Sequence, residues 1–177
     1  NFSEINNIRL SIYNKINAKS EFSNLYYNVA KHALDILVGN ELVMQNKINL
    51  SIQMPLDKSS ILPMHSDTWS GDSPFEIVVW IPLVDCYKTK SMFILNPKDS
   101  RIFYKNYKKN SKKYDSSGLY SKFKNKFKWI DIKFGEILIF NQCLPHGNIE
   151  NKTKETRWSL NCRFKSLFSP YGTKKIG

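Results

Sequence analysis

The segment His65-Ser66-Asp67 constrains this chain most, because its chemistry needs a partner far away in the sequence. On an extended strand, side chains two residues apart point to the same side. Two imidazoles and one carboxylate form a ligand set typical of mononuclear non-haem iron(II). A lone His-x-Asp often occurs by chance, and His65 by itself would be an ordinary hydrogen-bonded histidine. A second histidine must come from another strand, and His146, in Leu144-Pro145-His146-Gly147, is the candidate.

The length and composition indicate one globular domain over residues 1–177, since 41% of the residues are hydrophobic and 14% aromatic. No apolar run reaches membrane-spanning length and no secretory signal opens the chain, so we expect no membrane partner. Three cysteines without metal-site spacing indicate reduced thiols in a cytoplasmic protein. The chain begins at Asn1, so we expect a fragment of a longer protein or a removed N-terminus.

The net charge of +12 has three explanations. It fits a polyanionic partner such as nucleic acid, or a small anionic substrate. The chain is also rich in Lys, Asn and Ile throughout, as AT-rich genomes encode. We favour this coding bias, so the charge only permits an anionic partner, and nucleic acid is not the expected one.

Two helices are predicted in a section covering about residues 1–40. Isoleucines at helical spacing indicate the first, over 2–16. The second begins with Ser20 as its cap and ends at Gly39. Its predicted apolar face is formed by Phe22, Leu25, Tyr26, Val29, Ala33, Ile36 and Leu37.

Short strands are predicted over the remaining chain, about residues 47–168. Alternation from Lys47 gives a strand whose polar face, Asn49, Ser51 and Gln53, lines a wet cavity or faces solvent. Further strands are predicted at 75–84, 91–95, 127–134, 137–140 and 157–164. Many short strands after N-terminal helices predict a mainly β fold, a jelly-roll or cupin-like barrel.

Residues 96–126 are rich in Lys, Tyr, Asn and Ser, which predicts an exposed, loosely packed loop at the barrel rim. Such a loop is usually a solvated surface. Lysine interleaved with tyrosine can also bind single-stranded nucleic acid or close over a site as a lid.

Arg157 is the candidate anion anchor. Non-haem iron sites of one enzyme class bind 2-oxoglutarate, whose distal carboxylate then needs a fixed cation, and arginine provides two parallel hydrogen bonds. Arg157 follows His146 by eleven positions and shares a strand face with Ser159, Asn161 and Arg163. Arg163 is either a second contact or part of a structural ion pair.

With these residues in view, the chain resembles the Fe(II)/2-oxoglutarate-dependent oxygenases, which have a double-stranded β-helix core. The resemblance is to the phytanoyl-CoA hydroxylase and taurine dioxygenase branches. From about Leu34 onward it is similar to bacterial oxygenases found sporadically in carbohydrate biosynthesis clusters. The matching segments are Gly39-Asn40-Glu41, Leu50-Ser51-Ile52-Gln53-Met54-Pro55, His65-x-Asp67, Trp69-Ser70-Gly71-Asp72-Ser73-Pro74, Gly135-Glu136-Ile137-Leu138-Ile139-Phe140, His146-Gly147 and Arg157.

The resemblance implies an Fe(II), 2-oxoglutarate- and O₂-dependent dioxygenase that hydroxylates a small, carbohydrate-derived substrate such as an anionic sugar or nucleotide-sugar. Its implied metal ligands are His65, Asp67 and His146, and its implied cosubstrate anchor is Arg157. The other expected cosubstrate contacts are Gln53, Ser159 and Arg163, and the expected substrate contacts are Trp69, Asn161 and Lys90. The resemblance leaves the exact substrate and the oligomeric state open.

Three alternatives remain. An AlkB-like nucleic-acid demethylase fits the charge and the Arg157-x5-Arg163 spacing. However, that family has Asn-x-Tyr shortly before His-x-Asp, whereas Asn24-Leu25-Tyr26 lies some forty residues upstream. A non-catalytic jelly-roll module that binds sugar or nucleic acid has no need of intact metal ligands. A zinc-dependent cupin usually has more histidines.

Overall fold

The computed structural model describes residues 2–172, and its two N-terminal helices confirm the first prediction. They are α1 (Phe2–Asn17) and α2 (Ser20–Leu37). The cap position of α2 is Lys19 rather than Ser20, and no side chain caps this helix. None of the helices in the described residues is both long and apolar enough to cross a membrane.

The predicted apolar face of α2 is only partly the buried one. Tyr26, Ala30 and Leu34 pack into the core, and the Tyr26 hydroxyl donates to the Val79 carbonyl oxygen at 2.7 Å. In contrast, Leu25, Val29, Ile36 and Leu37 are each more than half exposed. Apolar residues occupy a wide arc of this helix, so spacing alone did not identify the buried stripe.

Eight strands follow in the described part of the chain. They are β1 (Leu42–Met44), β2 (Asn49–Gln53), β3 (Ile77–Pro82), β4 (Phe93–Leu95), β5 (Phe127–Trp129), β6 (Leu138–Asn141), β7 (His146–Gly147) and β8 (Arg157–Ser166). The predicted strands correspond to β2, β3, β4, β5, β6 and β8, although β5 ends well before residue 134. The strands β1 and β7 were not predicted, because each is too short to show a period.

The strands form two antiparallel sheets. The larger has the order β1–β8–β3–β6, with β2 also paired to β8, and the smaller has the order β5–β4–β7. An isolated bridge between His65 and His146 extends the smaller sheet beyond β7. The mainly β prediction is therefore confirmed as two antiparallel sheets preceded by helices. Cys86, Cys143 and Cys162 are free thiols, as expected.

The lysine-rich segment is helical, so the prediction of a loosely packed loop over 96–126 is wrong. It contains α3 (Pro97–Lys105), α4 (Tyr107–Ser111) and α5 (Ser116–Phe123). The Asn96 side chain caps α3 by accepting from the Asp99 amide, and the Asp115 side chain caps α5 by accepting from the Gly118 amide. Asn96 and Asp115 are both common cap residues and stand in the sequence, but the loop prediction rested on the lysine content of the segment.

These helices pack on the smaller sheet through aromatic side chains. Phe103, Leu119 and Phe123 are buried together with Phe93 and Leu95 of β4. The lysines therefore lie on the outer surface of a folded layer, and the predicted lid of lysine and tyrosine over the site lacks its structural basis.

Replacing Phe103 tests this packing, because its side chain is fully buried. Phe103→Ala should lower the free energy of unfolding by about 3–5 kcal/mol through lost burial and a residual cavity. Urea denaturation monitored by circular dichroism measures the change. The exposed Lys105→Ala on the same helix is the matched control and should leave the midpoint unchanged. Equal midpoints for the two variants would mean that the segment is not part of the cooperative fold.

Candidate metal centre

His65 and His146 are direct neighbours across two strands. The His65 amide donates to the His146 carbonyl oxygen at 2.9 Å, and the His146 amide donates back to His65 at 2.8 Å. Their rings therefore lie side by side, with centroids 4.4 Å apart. Gly147 permits this approach, since a Cβ atom there would lie only 2.8 Å from the Leu62 carbonyl oxygen.

Asp67 completes a group of three ligand atoms. It begins a short 3₁₀ turn, and its Oδ1 lies 3.4 Å from His65 Nε2 and 4.0 Å from His146 Nε2. All three ligand atoms lie within 4.8 Å of one another, so this group can hold a metal ion.

The backbone fixes both imidazoles in the tautomer that a metal requires. His65 Nδ1 lies 2.7 Å from the Pro63 carbonyl oxygen, and His146 Nδ1 lies 2.8 Å from the Leu144 carbonyl oxygen. A carbonyl oxygen only accepts, so each Nδ1 carries the proton and donates it. When each ring is neutral, its lone pair is then on Nε2, the atom that faces Asp67, as in metal-ligating histidines.

The pKa values of His146 and Asp67 suit metal ligands, whereas the contact with Asp67 raises the pKa of His65 against the effect of burial. Burial and the neighbouring His65 lower the pKa of His146 to about 4, so this ring is neutral near pH 7. Burial by itself would raise the pKa of Asp67. The neighbouring His65 imidazole and the charge of Arg163 outweigh that effect, and they hold this pKa well below its usual range.

Arg163 orients the Asp67 carboxylate. Its Nη2 and Nε donate to Asp67 Oδ2 at 2.9 and 3.3 Å, which leaves Oδ1 directed at the histidines. Its Nε also donates to Gln142 Oε1 at 3.0 Å, and its Nη1 to Gln45 Oε1 at 3.2 Å. Two roles were predicted for Arg163, a second cosubstrate contact and a structural ion pair. The structure shows the ion pair, with Asp67. Arg163 also lines the cavity, so the predicted cosubstrate contact stays a prediction.

Gln142 links Arg163 to the interior and was missed from the sequence. It is fully buried, and its Nε2 donates to Glu76 Oε2 at 2.9 Å. Burial raises the pKa of Glu76. The only signal in the sequence is that Gln142 is the second polar residue after the apolar run at 137–140, and nothing there connects it to Glu76.

Removing Arg163 should weaken metal binding without removing a ligand. We expect Arg163→Leu to lower the affinity for iron(II) or manganese(II) by about 10–100-fold, the usual effect of losing a group that orients a ligand. Competitive metal titration measures this, and the exposed Arg101→Leu, which makes the same change, serves as the control. An unchanged metal affinity would show that Asp67 is oriented without Arg163.

Arg157 is a buried cation without an acidic partner among the described residues. It is 4% exposed. Its Nη1 donates to the Ser91 carbonyl oxygen and its Nη2 to the Ser51 hydroxyl, both at 3.1 Å. Burial lowers its pKa to about 10, so the group remains charged near pH 7. Its Nε has no hydrogen-bond partner. A buried charge with an unsatisfied donor is costly, so this position suits an anion.

One cavity of about 520 Å³ connects these groups. The three ligands, Arg157 and Arg163 line it, together with the predicted substrate contact Asn161. Asn49 and Ser51 of β2 also face the cavity, and Asn49 Nδ2 donates to Asn161 Oδ1 at 3.1 Å. Apolar side chains supply another wall, at Val78, Trp80, Met92 and Phe140.

Two predicted cosubstrate contacts lie outside this lining. Gln53 is fully buried, and its Nε2 donates to the Ile149 carbonyl oxygen at 2.7 Å. Ser159 is also fully buried, and its hydroxyl has no partner. Their positions on β2 and β8 fit the predicted faces, but neither side chain borders the cavity.

The predicted substrate contacts Trp69 and Lys90 are corrected by their packing. Trp69 stacks on Phe103 and Tyr107, with centroids 5.9 and 5.0 Å apart, in the aromatic layer of α3 and α4. Lys90 is buried, pairs with Glu155 and lies over the Tyr87 ring. Both side chains are committed to structural contacts away from the cavity.

Comparison with known proteins finds likeness only among solved structures. No family model matches the chain, and no curated protein matches it. The non-heme monooxygenase ThoJ in its nickel complex matches with a TM-score of 0.54 and 18% identity, over 78% of this chain and 51% of that one. HygX from Streptomyces hygroscopicus, with nickel and 2-oxoglutarate bound, matches with a TM-score of 0.66 and 11% identity, over 88% of this chain and 69% of that one.

A third similar structure is SnoN, a non-heme alpha-ketoglutarate-dependent epimerase from nogalamycin biosynthesis. It matches with a TM-score of 0.59 and 16% identity, over 87% of this chain and 60% of that one. HygX has also been solved with iron bound. The chain thus has the fold of non-heme, 2-oxoglutarate-dependent enzymes, and the resemblance expected from the sequence is confirmed at that level. The chain spans about half the length of ThoJ.

Proposed function

We propose that this protein is an Fe(II)- and 2-oxoglutarate-dependent oxygenase that hydroxylates a small, carbohydrate-derived substrate. One observation carries the proposal. His65, Asp67 and His146 line the same cavity as Arg157, a buried arginine with an unsatisfied donor and no acidic partner among the described residues. A non-catalytic binding module has no use for this combination.

The two sheets fit the halves of a double-stranded β-helix. Here His146 is in β7 of the smaller sheet, His65 bridges to it, and Asp67 reaches across to Arg163 of β8 in the larger sheet. The ion pair between Asp67 and Arg163 therefore joins the 3₁₀ turn that follows His65 to β8 of the larger sheet.

The residues of the chain then have separate roles. When bound, iron(II) with 2-oxoglutarate supplies the activation of dioxygen that C–H hydroxylation needs. His65 and His146 hold the metal through Nε2, and Arg157 binds the distal carboxylate of 2-oxoglutarate. Asn49 and Asn161 offer amide groups that suit the hydroxyls of a sugar.

The apolar wall has a further role in the same cavity. Val78, Trp80, Met92 and Phe140 limit the access of water to the reacting groups. Phe140 also packs edge-on against the His146 ring at 5.1 Å between centroids, which restrains that ligand.

Succinate formation tests the proposal. The protein is supplied with iron(II), ascorbate, 2-oxoglutarate and air, and succinate is measured with and without a panel of sugars and nucleotide-sugars. A substrate should stimulate succinate release and gain one oxygen atom by mass spectrometry, whereas an epimerised product keeps its mass. The same protein loaded with nickel(II) is the control. No succinate from the iron-loaded protein under any condition would refute the proposed function.

A further inference from the structure

Helix α1 forms part of the cavity wall. Ile5, Asn6 and Arg9 line the cavity from this helix. The helix is fixed to the larger sheet at its other end, because Asn17 Nδ2 donates to the Ile48 carbonyl oxygen at 2.9 Å and Asn17 Oδ1 accepts from the Ile48 amide at 2.8 Å. Ile48 directly precedes β2, which contributes Asn49 and Ser51 to the same cavity. The position of Arg9 is therefore tied to the sheet that carries the site.

Arg9 has a neutral partner and no acidic one among the described residues. Its Nη2 and Nε donate to Asn6 Oδ1 at 2.9 and 3.2 Å. This contact holds the guanidinium plane in one direction but leaves its charge uncompensated. Arg9 is half-buried and Asn6 exposed, whereas Arg157 and His146 are buried. Arg9 thus borders a part of the cavity that is more open to solvent than the parts formed by Arg157 and His146.

Of the other charges that line the cavity, Arg163 and Asp67 form an ion pair, whereas Asp57 and Arg157 have only neutral hydrogen-bond partners. Arg163 neutralises Asp67, and Asp57 accepts from the amide and hydroxyl of Ser59 at 2.7 and 2.6 Å. Under the proposed function, the two negative charges of 2-oxoglutarate balance the two positive charges of iron(II). Three arginines and two aspartates border the cavity within the described residues. One net positive charge therefore remains, and Arg9 is the arginine to which neither an acidic residue of the described chain nor the cosubstrate is assigned.

We propose that Arg9, oriented by Asn6, is the specificity-determining residue for an anionic group on the substrate. A carboxylate and a phosphate are the two chemical classes that match a guanidinium fork. The sugar-like part of the molecule then lies between Arg9 and the metal, next to the amides of Asn49 and Asn161. The inference rests on the proposed function, because it assigns the substrate class of the same site.

Calorimetric titration tests this assignment directly. The probes are glucose 6-phosphate, UDP-glucose, glucuronate and methyl glucoside, added without oxygen to protein loaded with iron(II) and 2-oxoglutarate. The variants are Arg9→Gln, Arg9→Lys and Lys15→Gln. Lys15 is exposed on the same helix and does not line the cavity, so its variant is the control for the change of charge.

We expect at least one anionic probe to bind about tenfold or more tightly than methyl glucoside. Arg9→Gln should abolish that preference, Arg9→Lys should retain part of it, and Lys15→Gln should leave it unchanged. Comparing the affinities for glucose 6-phosphate and glucuronate shows whether the site prefers a phosphate or a carboxylate. Equal preference in Arg9→Gln and the unmodified protein overturns the inference, and so does an absence of binding by every anionic probe. Succinate formation by the unmodified protein, measured separately, shows whether the proposed function itself has failed.

Discussion

Asp67→Ala is expected to abolish succinate formation and to remove most of the affinity for iron(II), while the protein stays folded. The substitution deletes the only anionic ligand of the three, so a divalent cation loses both a bond and a compensating charge. It also leaves the Arg163 guanidinium beside the metal without its carboxylate, and that charge repels the cation. The loss should exceed the about 10–100-fold expected for Arg163→Leu, which removes only a supporting group.

His65→Ala should have a similar effect on turnover for a simpler reason. The two backbone hydrogen bonds between His65 and His146 do not involve the imidazole. The strand pairing should therefore survive while one metal ligand is lost. Equilibrium dialysis against iron(II) and succinate assays measure both variants, and thermal unfolding confirms that they are folded. The exposed Asp131→Ala is the control for Asp67→Ala. Wild-type iron affinity in both ligand variants would show that the metal binds elsewhere.

The metal-ligand group could be predicted from the sequence because two of its three residues are close together in the chain. His65 and Asp67 are separated by a single residue, so strand geometry alone places both on one side, and only His146 had to be found at a distance. The strand β8 was predicted for a similar reason, since Arg157, Ser159, Asn161 and Arg163 alternate with apolar residues. Period-two alternation over a long strand is an unambiguous pattern.

The supporting contacts could not be predicted, because they join side chains from separate strands. Arg163, Gln142 and Glu76 meet only after β8, β6 and β3 have paired, and no spacing in the sequence encodes that register. The role of α1 was missed for the same reason. Its isoleucines predicted a helix correctly, but they carry no information on which cavity Arg9 would border.

The lysine-rich helices illustrate a different difficulty. Phe103, Leu119 and Phe123 are few among many lysines, and average composition concealed them. A buried layer needs only a few large side chains, because each aromatic ring buries much area and lysines lie comfortably on the outer face. Composition therefore described the surface of this segment and gave no information about its packing.

Arg157→Gln is expected to raise the KM for 2-oxoglutarate strongly and to leave iron(II) affinity near its original value. Removing one partner of a buried, charge-assisted pair costs roughly 2–5 kcal/mol, which corresponds to a KM increase on the order of 30-fold or more. The KM of Arg157→Lys should fall between those of the unmodified protein and Arg157→Gln. A single ammonium cannot reproduce both the observed hydrogen bonds to Ser91 and Ser51 and the proposed pair of bonds to a carboxylate.

The stability of the same variant separates an anion anchor from a structural arginine. Without cosubstrate, the buried charge of Arg157 has no acidic partner among the described residues, so Arg157→Gln should unfold at the same or a higher temperature than the unmodified protein. Added 2-oxoglutarate should then stabilise the unmodified protein and have little effect on the variant, because only a state that binds a ligand is stabilised by it. Arg163→Gln should differ from Arg157→Gln in both measurements. It should weaken iron(II) binding and raise the KM for 2-oxoglutarate less. A larger increase in that KM for Arg163→Gln than for Arg157→Gln would show that the two arginines have exchanged roles.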